Sequence, residues 1–480
     1  MLVSGIFRQG LGFFTLAVTA RLLKPEDFGI IAYFMIAAAL LEMMQRQIAM
    51  VLIRLDDVTH EHLYTVFTLQ ICFGLIAAGL FWVADPFILA VFGIPELVDI
   101  LPAISALSIL IALRSPKFLL YERQLRFSLA AAEETLSRFA YCGAAITLAW
   151  LWQDFWAVIF AVLIGLVARS IFTFAAAPMF PKPSLSQWRE SLSFSSWSMG
   201  AQLSQFFANN MPLLIIGNAL GLADAGIYRV GNRITNAVTT QFFAPLQRVL
   251  YPGLADVSRS SGSEKEAFIR INMILLAIVL PISVGSALIA VDMIWFGLGY
   301  KWIAAAQVVW VLAPLKAMET LQANVRAASY VAGSTKSLFF RNTLLLILVV
   351  LYMRIGTQFD FRGALFAAGL SSFTALIITL VMAKRFGNGG LFEPLTVAWR
   401  SFVACAVMVI AVIATDLAIR SGADGPRILV IVLAKVGVGA AVYTTVHIAL
   451  WSMTGRPKGL ETLVFSLPSR LRGRFGRSRV

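Results

Sequence analysis

Apolar runs of about twenty residues recur along almost the whole of this 480-residue chain, and no other feature narrows its folds so far. A helix that crosses a bilayer needs about 20 such residues. Fourteen runs qualify, near residues 3–22, 28–52, 64–84, 97–120, 129–151, 155–178, 192–217, 226–250, 268–291, 302–325, 336–356, 361–383, 396–417 and 428–453. With 59% hydrophobic and 13% charged residues and a mean hydropathy of +0.82, the chain holds more apolar material than a soluble core uses. The expected fold is an all-α polytopic membrane protein of about fourteen transmembrane helices. Runs four and ten are the most interrupted, by Arg114 and Lys117 and by Lys316 and Glu319.

The net charge of +14 would suggest nucleic acid in a soluble protein, but membrane proteins gather cations in their cytoplasmic loops. With the N-terminus placed in the cytoplasm, loops and tail on that side carry 24 Lys and Arg, Arg114, Arg341 and Arg400 among them, against 7 on the other. That alternation points to fourteen spans, both termini in the cytoplasm and no nucleic-acid partner. The tail holds Arg470, Arg472, Arg474, Arg477 and Arg479 and suits contact with anionic headgroups.

The outer loops are short and no soluble domain is inserted. Residues 181–190, PKPSLSQWRE, read as a cytoplasmic linker between two six-span halves. The expected division is an N-lobe at 1–180, the linker, a C-lobe at 191–386, two extra spans at 387–455 and a basic tail at 456–480. An internal repeat supports the halves. RLLKPEDFGII at 21–31 and NALGLADAGIY at 218–228 superpose at a shift of 197, pairing Leu23 with Leu220, Asp27 with Asp224, Gly29 with Gly226 and Ile30 with Ile227. Six spans per half give parallel repeats, with substrate between them and alternating access by rocking. Pro25 suits the first turn of a helix, and Glu26 and Asp27 complement its positive end.

Two runs carry polar stripes. In 194–217, Ser195, Ser198, Gln202, Gln205 and Asn209 recur at steps of three and four; in 226–250, Arg229, Arg233, Asn236 and Thr240 do the same, beside Asn232. Such helices suit the wall of a water-filled cavity inside a membrane. An Arg at the bilayer centre costs roughly 2.5–3.5 kcal/mol on insertion scales, so each one needs a reason. Arg8, Arg46, Gln202, Gln205, Asn209, Arg229, Asn232, Arg233 and Asn236 form the candidate substrate cavity. Arg229 and Arg233 have no acid within a turn, and Arg holds phosphate oxygens bidentately. The bland alternative is internal pairing of Glu42 with Arg46 and Glu134 with Arg138 at i,i+4, or snorkelling near helix ends; it also covers Arg169 and Arg326. Paired Phe206–Phe207 and Phe242–Phe243 read as packing or lipid-facing material. Glu42, Glu319 and Asp292 are candidates for coupling to H⁺ or Na⁺, or else ion-pair partners.

Cys72, Cys142 and Cys405 each lie in an apolar run and read as small buried hydrophobes. His60 and His62 flank Glu61 without further ligands nearby, so no metal site is expected. The first run leads into a Pro-Glu-Asp turn without a cleavage site, which suits an uncleaved span. No P-loop, HExxH or GxSxG candidate stands out, and no cofactor is expected.

These features together resemble the bacterial polysaccharide transporter (Wzx-like flippase) family of the multidrug/oligosaccharidyl-lipid/polysaccharide exporter superfamily. The residues that carry the resemblance are Arg21 to Gly29, Leu220 to Tyr228, and Phe194 to Trp197 at the start of span seven. The resemblance implies translocation of undecaprenyl-diphosphate-linked oligosaccharide across the bacterial cytoplasmic (inner) membrane, for exopolysaccharide, capsule or O-antigen assembly. It also implies two lobes around a cationic cavity, a lipid-linked oligosaccharide as substrate, and a polysaccharide polymerase and export machinery as partners. The chain departs from the pattern in beginning almost directly at span one. A multidrug exporter of the same superfamily would favour acidic stripes, and a multispan glycosyltransferase or polymerase would need catalytic acids or a large outer loop.

Overall fold

A computed structural model describes residues 2–55, 57–124, 126–191, 196–237, 264–331, 335–384, 392–419 and 427–456. The regular structure of these residues is all helix, with no strand. We number the long helices α1 (Leu2–Leu22), α2 (Pro25–Ala49), α3 (His60–Trp82), α4 (Leu101–Ala112), α5 (Phe127–Trp152), α6 (Trp156–Ala176), α7 (Ser196–Leu220), α8 (222–237), α9 (Glu264–Leu288), α10 (Ala305–Val331), α11 (Thr335–Gly356), α12 (Asp360–Ala383), α13 (Trp399–Ile419) and α14 (Arg427–Met453). They occupy the positions of the apolar runs. Among the described residues, seven stretches are long and apolar enough to cross a bilayer, or up to eight if the pair Glu96–Ala112 and Pro116–Arg123, bent by 55°, is one span. One of the seven, Thr335–Met382, has 48 residues, about 72 Å of helix at 1.5 Å per residue and far more than one ~30 Å crossing needs. The chain reverses in it at Thr357–Phe359, and α11 packs on α12 so closely that a Cβ added to Gly356 would lie 2.7 Å from the Gly363 carbonyl oxygen.

Many large apolar side chains face outward, among them Leu75, Ile76 and Leu80 on α3 and Ile410 and Leu417 on α13. That is the surface expected where lipid is the solvent. Cys142 and Cys405 are buried, but Cys72 is exposed. It lies three and four residues before Leu75 and Ile76, on the same stripe of α3, so it is a small apolar residue facing outward and not into a core.

The chain divides into two compact units, Met1–Arg229 and Val230–Val480. In the first, α5 packs on α6 and α1, and α4 on α3 and α2. Pro25 opens α2, and the Lys24 amide donates to Asp27 Oδ2 at 2.8 Å; the acidic residue therefore caps the helix. His62 has the same kind of role at the start of α3, its Nδ1 lying 3.2 Å from the Thr59 amide. Residues 181–190 are fixed to α3, where Ser184 Oγ and Ser186 Oγ both donate to Glu61 Oε2, at 2.9 and 3.0 Å.

The repeat has a physical basis in this unit. A Cβ on Gly29 would collide with the Leu222 carbonyl oxygen, and one on Gly226 with the Pro25 carbonyl oxygen. The shift of 197 that pairs the glycines also pairs Pro25 with Leu222, so the two contacts are reciprocal, as about a local two-fold axis. Glycine is required at both places because backbone meets backbone. Tyr33 Oη donates to the Leu214 carbonyl at 3.1 Å beside this crossing.

In the second unit, α9, α10, α12, α13 and α14 share one apolar core that includes Leu276, Leu321, Leu380, Met408, Val412 and Tyr443. The last two helices are thus packed into this unit, and Tyr443 Oη donates to the Ala277 carbonyl at 2.7 Å.

Candidate functional site

Glu42 on α2, Glu133 on α5 and Arg169 on α6 meet the bend after α4, and four elements bring their charges together there. Arg114 follows α4 in the break before Pro116, where the chain has left helical geometry. Glu133 is buried and accepts from Arg114 Nη2 at 3.0 Å and from Arg169 Nε at 2.8 Å. Arg169 Nη1 also donates to Glu42 Oε1 at 3.0 Å, and Arg114 reaches Glu122 at 3.5 Å. Glu42, Gln45, Arg46, Gln70, Arg114 and Arg169 line a cavity of about 30 Å³. That admits one or two waters and is well below the ~300–1,000 Å³ of a small-molecule site. Gln45 Oε1, Gln70 Oε1 and Arg114 Nε are buried there without a hydrogen-bond partner among the described residues. Arg46 is exposed at the edge of the cavity. Among the described residues it has no ion pair, whereas Arg114 and Arg169 are each held by carboxylates.

Two expected pairs are not formed. Glu42 pairs with Arg169 and not with Arg46 one turn away. Glu134 is exposed and does not pair with Arg138; the adjacent Glu133 is the buried partner. Successive helical residues differ by about 100° in direction, so the i,i+4 spacing selected the face of α5 that does not look toward α6. Arg114, Arg341 and Arg400, counted as loop cations from the sequence, are held within the fold. Arg341 and Arg400 are buried, Arg341 Nη2 donating to Thr379 Oγ1 at 2.8 Å and Arg400 Nη2 lying 3.8 Å from Met273 Sδ.

The remaining candidates are placed as follows. Gln202 on α7 accepts from Gln47 Nε2 of α2 at 2.7 Å, beside Arg46 in sequence. Gln205 Nε2 donates to Asn209 Oδ1 at 2.8 Å on the same stripe, and Phe206 meets Phe207 edge-to-face at 5.6 Å. Arg229 is half-buried at the end of the first unit. Asn232, Arg233 and Asn236 are half-buried at the start of the second, with Asn236 Nδ2 donating to Asn232 Oδ1 at 3.1 Å. The side chains of Arg8, Ser195 and Arg326, and residues Phe194, Thr240, Phe242 and Phe243, lie outside the described residues.

The ion-coupling candidates are all engaged. Glu319 is 2.6 Å from Lys316 Nζ within α10. Asp292 is buried and 2.5 Å from Lys435 Nζ, which also contacts Asp416. Lys435 is almost fully buried, about a third of the way along α14, and is not among the candidates that the sequence offered. A single Lys inside a run of apolar residues is its only local signal.

The polysaccharide biosynthesis protein family matches residues 18–307, more than half of the chain. The chain belongs to this family. It is 24% identical over 443 residues to the succinoglycan biosynthesis transport protein ExoT of Rhizobium meliloti (strain 1021), covering 91% of this chain and 88% of that one. It is 20% identical over 298 residues to the lipopolysaccharide biosynthesis protein WzxC of Escherichia coli (strain K12), covering 61% of each. Among solved structures, the inward closed conformation of the lipid II flippase MurJ superposes with a TM-score of 0.76 at 13% identity, over 95% of this chain and 99% of that one. The all-α membrane fold read from composition and the family read from the repeat turns therefore stand. The chain is a multi-pass bacterial membrane protein of polysaccharide biosynthesis and transport, and not an enzyme.

Proposed function

We propose that this chain is a flippase for lipid-linked oligosaccharides. It moves undecaprenyl-diphosphate-linked repeat units across the cytoplasmic membrane, for exopolysaccharide, capsule or O-antigen assembly. Fourteen spans with both termini in the cytoplasm, alternating access through a cationic cavity, and hand-over to a polymerase and export machinery complete the proposal. The relatives named for transport and flipping support it, as does the match of the fold over nearly the whole of a lipid II flippase. The observation that carries it is Arg46. In a cluster where Arg114 and Arg169 are already neutralised by Glu42, Glu122 and Glu133, Arg46 has no acidic partner among the described residues. It is thus left to meet an incoming phosphate oxygen. Coupling to H⁺ or Na⁺ through Glu42, Glu319 or Asp292 would require breaking the ion pair that each now makes.

The test is mass spectrometry of lipid extracts from cells lacking the chain, with surface glycan assayed in parallel and sidedness labelling of the lipid. Accumulation of complete lipid-diphosphate oligosaccharide on the inner side, with loss of polymer, is expected. An unchanged lipid pool overturns the proposal. Replacing both Arg229 and Arg233 by Ala is expected to abolish output without loss of membrane insertion.

A further inference from the structure

Away from that cluster, α10 and α12 leave an open apolar groove in the second unit. Its volume is about 480 Å³, and Val311, Arg362, Phe366, Gly369, Leu370 and Phe373 line it. On α12 the four apolar positions fall at i, i+3, i+4 and i+7, one face of the helix. Gly369 makes the notch, since a Cβ there would lie 2.9 Å from Val311 Cγ1. Phe366 and Phe373 stand 72% and 50% exposed along it. The apolar length ends at Arg362, in the first turn of a 24-residue helix. Arg362 is exposed and has no ion pair or hydrogen bond among the described residues. The amides of that turn add their own positive potential. Asp360 in the same turn points about 200° away around the helix.

We propose that this groove is a binding site for an anionic glycerophospholipid. One acyl chain lies along Phe366, Gly369, Leu370 and Phe373 against Val311, and the headgroup phosphate sits at Arg362. The volume falls in the ~300–1,000 Å³ range of small-molecule sites, and a guanidinium is the side chain best shaped to hold phosphate oxygens. A zwitterionic lipid of the same chains fills the groove equally well but carries no net charge, so the headgroup decides the preference. A basic residue beside anionic lipid gives about a five-fold preference, equivalent to ~1 kcal/mol. The proposal is independent of which glycan the chain moves.

The full-length protein, purified in detergent and stripped of lipid, is incubated with photoactivatable phosphatidylglycerol or with phosphatidylcholine of the same acyl chains. Crosslinked peptides are then mapped. The wild-type chain is expected to crosslink within 360–373, with about five-fold more phosphatidylglycerol. Arg362→Gln is expected to remove that preference while keeping the crosslink, and Arg362→Lys to retain part of it. Leu370→Trp, which fills the notch, is expected to lose both lipids at an unchanged melting temperature. Equal crosslinking of the two lipids by the wild-type chain overturns the proposal, and so does a preference that survives Arg362→Gln. A dimer of the chain that Leu370→Trp abolishes also overturns it, because the groove would then seat a second copy.

Discussion

Replacing Glu133 by Ala removes one buried carboxylate from two arginines at once. Glu133 accepts from Arg169 at 2.8 Å and from Arg114 at 3.0 Å, with 8% of its side chain exposed. The two cations are left in different states. Arg169 keeps Glu42 at 3.0 Å, whereas Arg114 keeps only Glu122 at 3.5 Å, beyond good hydrogen-bond geometry. Breaking a buried pair from one side costs roughly 3–5 kcal/mol because a charge stays buried without compensation. The lower end applies here, since Arg169 remains paired, and the expected loss is about 3 kcal/mol. At roughly 2–4 °C per kcal/mol for 150–250-residue domains, the melting temperature of the purified protein in detergent should fall by about 6–12 °C. Tryptophan fluorescence reports it directly. Glu134→Ala, on the exposed next residue, is the comparison and should lower the melting temperature less, because it leaves both arginines paired with Glu133. Adding Glu42→Ala to Glu133→Ala should cost more than the two singles together, because both carboxylates serve Arg169. Equal melting temperatures for Glu133→Ala and Glu134→Ala would refute the assignment of Glu133 as the shared anion.

Arg46→Ala should cut surface polysaccharide strongly at an unchanged melting temperature, because no acidic partner among the described residues is stranded by its loss; a parallel loss of stability would contradict that. Gly29→Ala and Gly226→Ala should each abolish polysaccharide output, since either Cβ meets a carbonyl oxygen of the opposite turn. Gly79→Ala, with nothing within 4 Å, should leave output intact. Lys435→Met should lower stability by roughly 3–5 kcal/mol by leaving Asp292 buried without its cation. Lys435→Met combined with Asp292→Leu should recover a large part of that loss in the same melting assay.

How much was legible in the sequence depended on the range of the interaction. Fold class follows from apolar length alone, because a bilayer requires every backbone group to be satisfied within its own helix. Caps are equally local: Pro25, Asp27 and Gly221, at φ +103°, announce helix boundaries in neighbouring residues. Charge pairing is set elsewhere. Whether Glu133 or Glu134 is the buried acid depends on which side of α5 faces α6, and a helix that is apolar nearly all round does not encode its own rotation. The same blindness put Arg341 and Arg400 in loops and passed over Lys435, whose partners lie 143 residues away at Asp292 and on α13 at Asp416. The repeat was the exception, because two short turns recorded a long-range contact twice. Gly29 and Gly226 each keep clear the carbonyl that the other turn presents, so a tight crossing between segments 197 residues apart left the same glycine in both. An internal repeat thus carries three-dimensional information that a single helix pattern lacks. The bend of 55° after α4 occurs once among the described residues, so no second copy in the sequence announces Arg114 or the charge cluster around it.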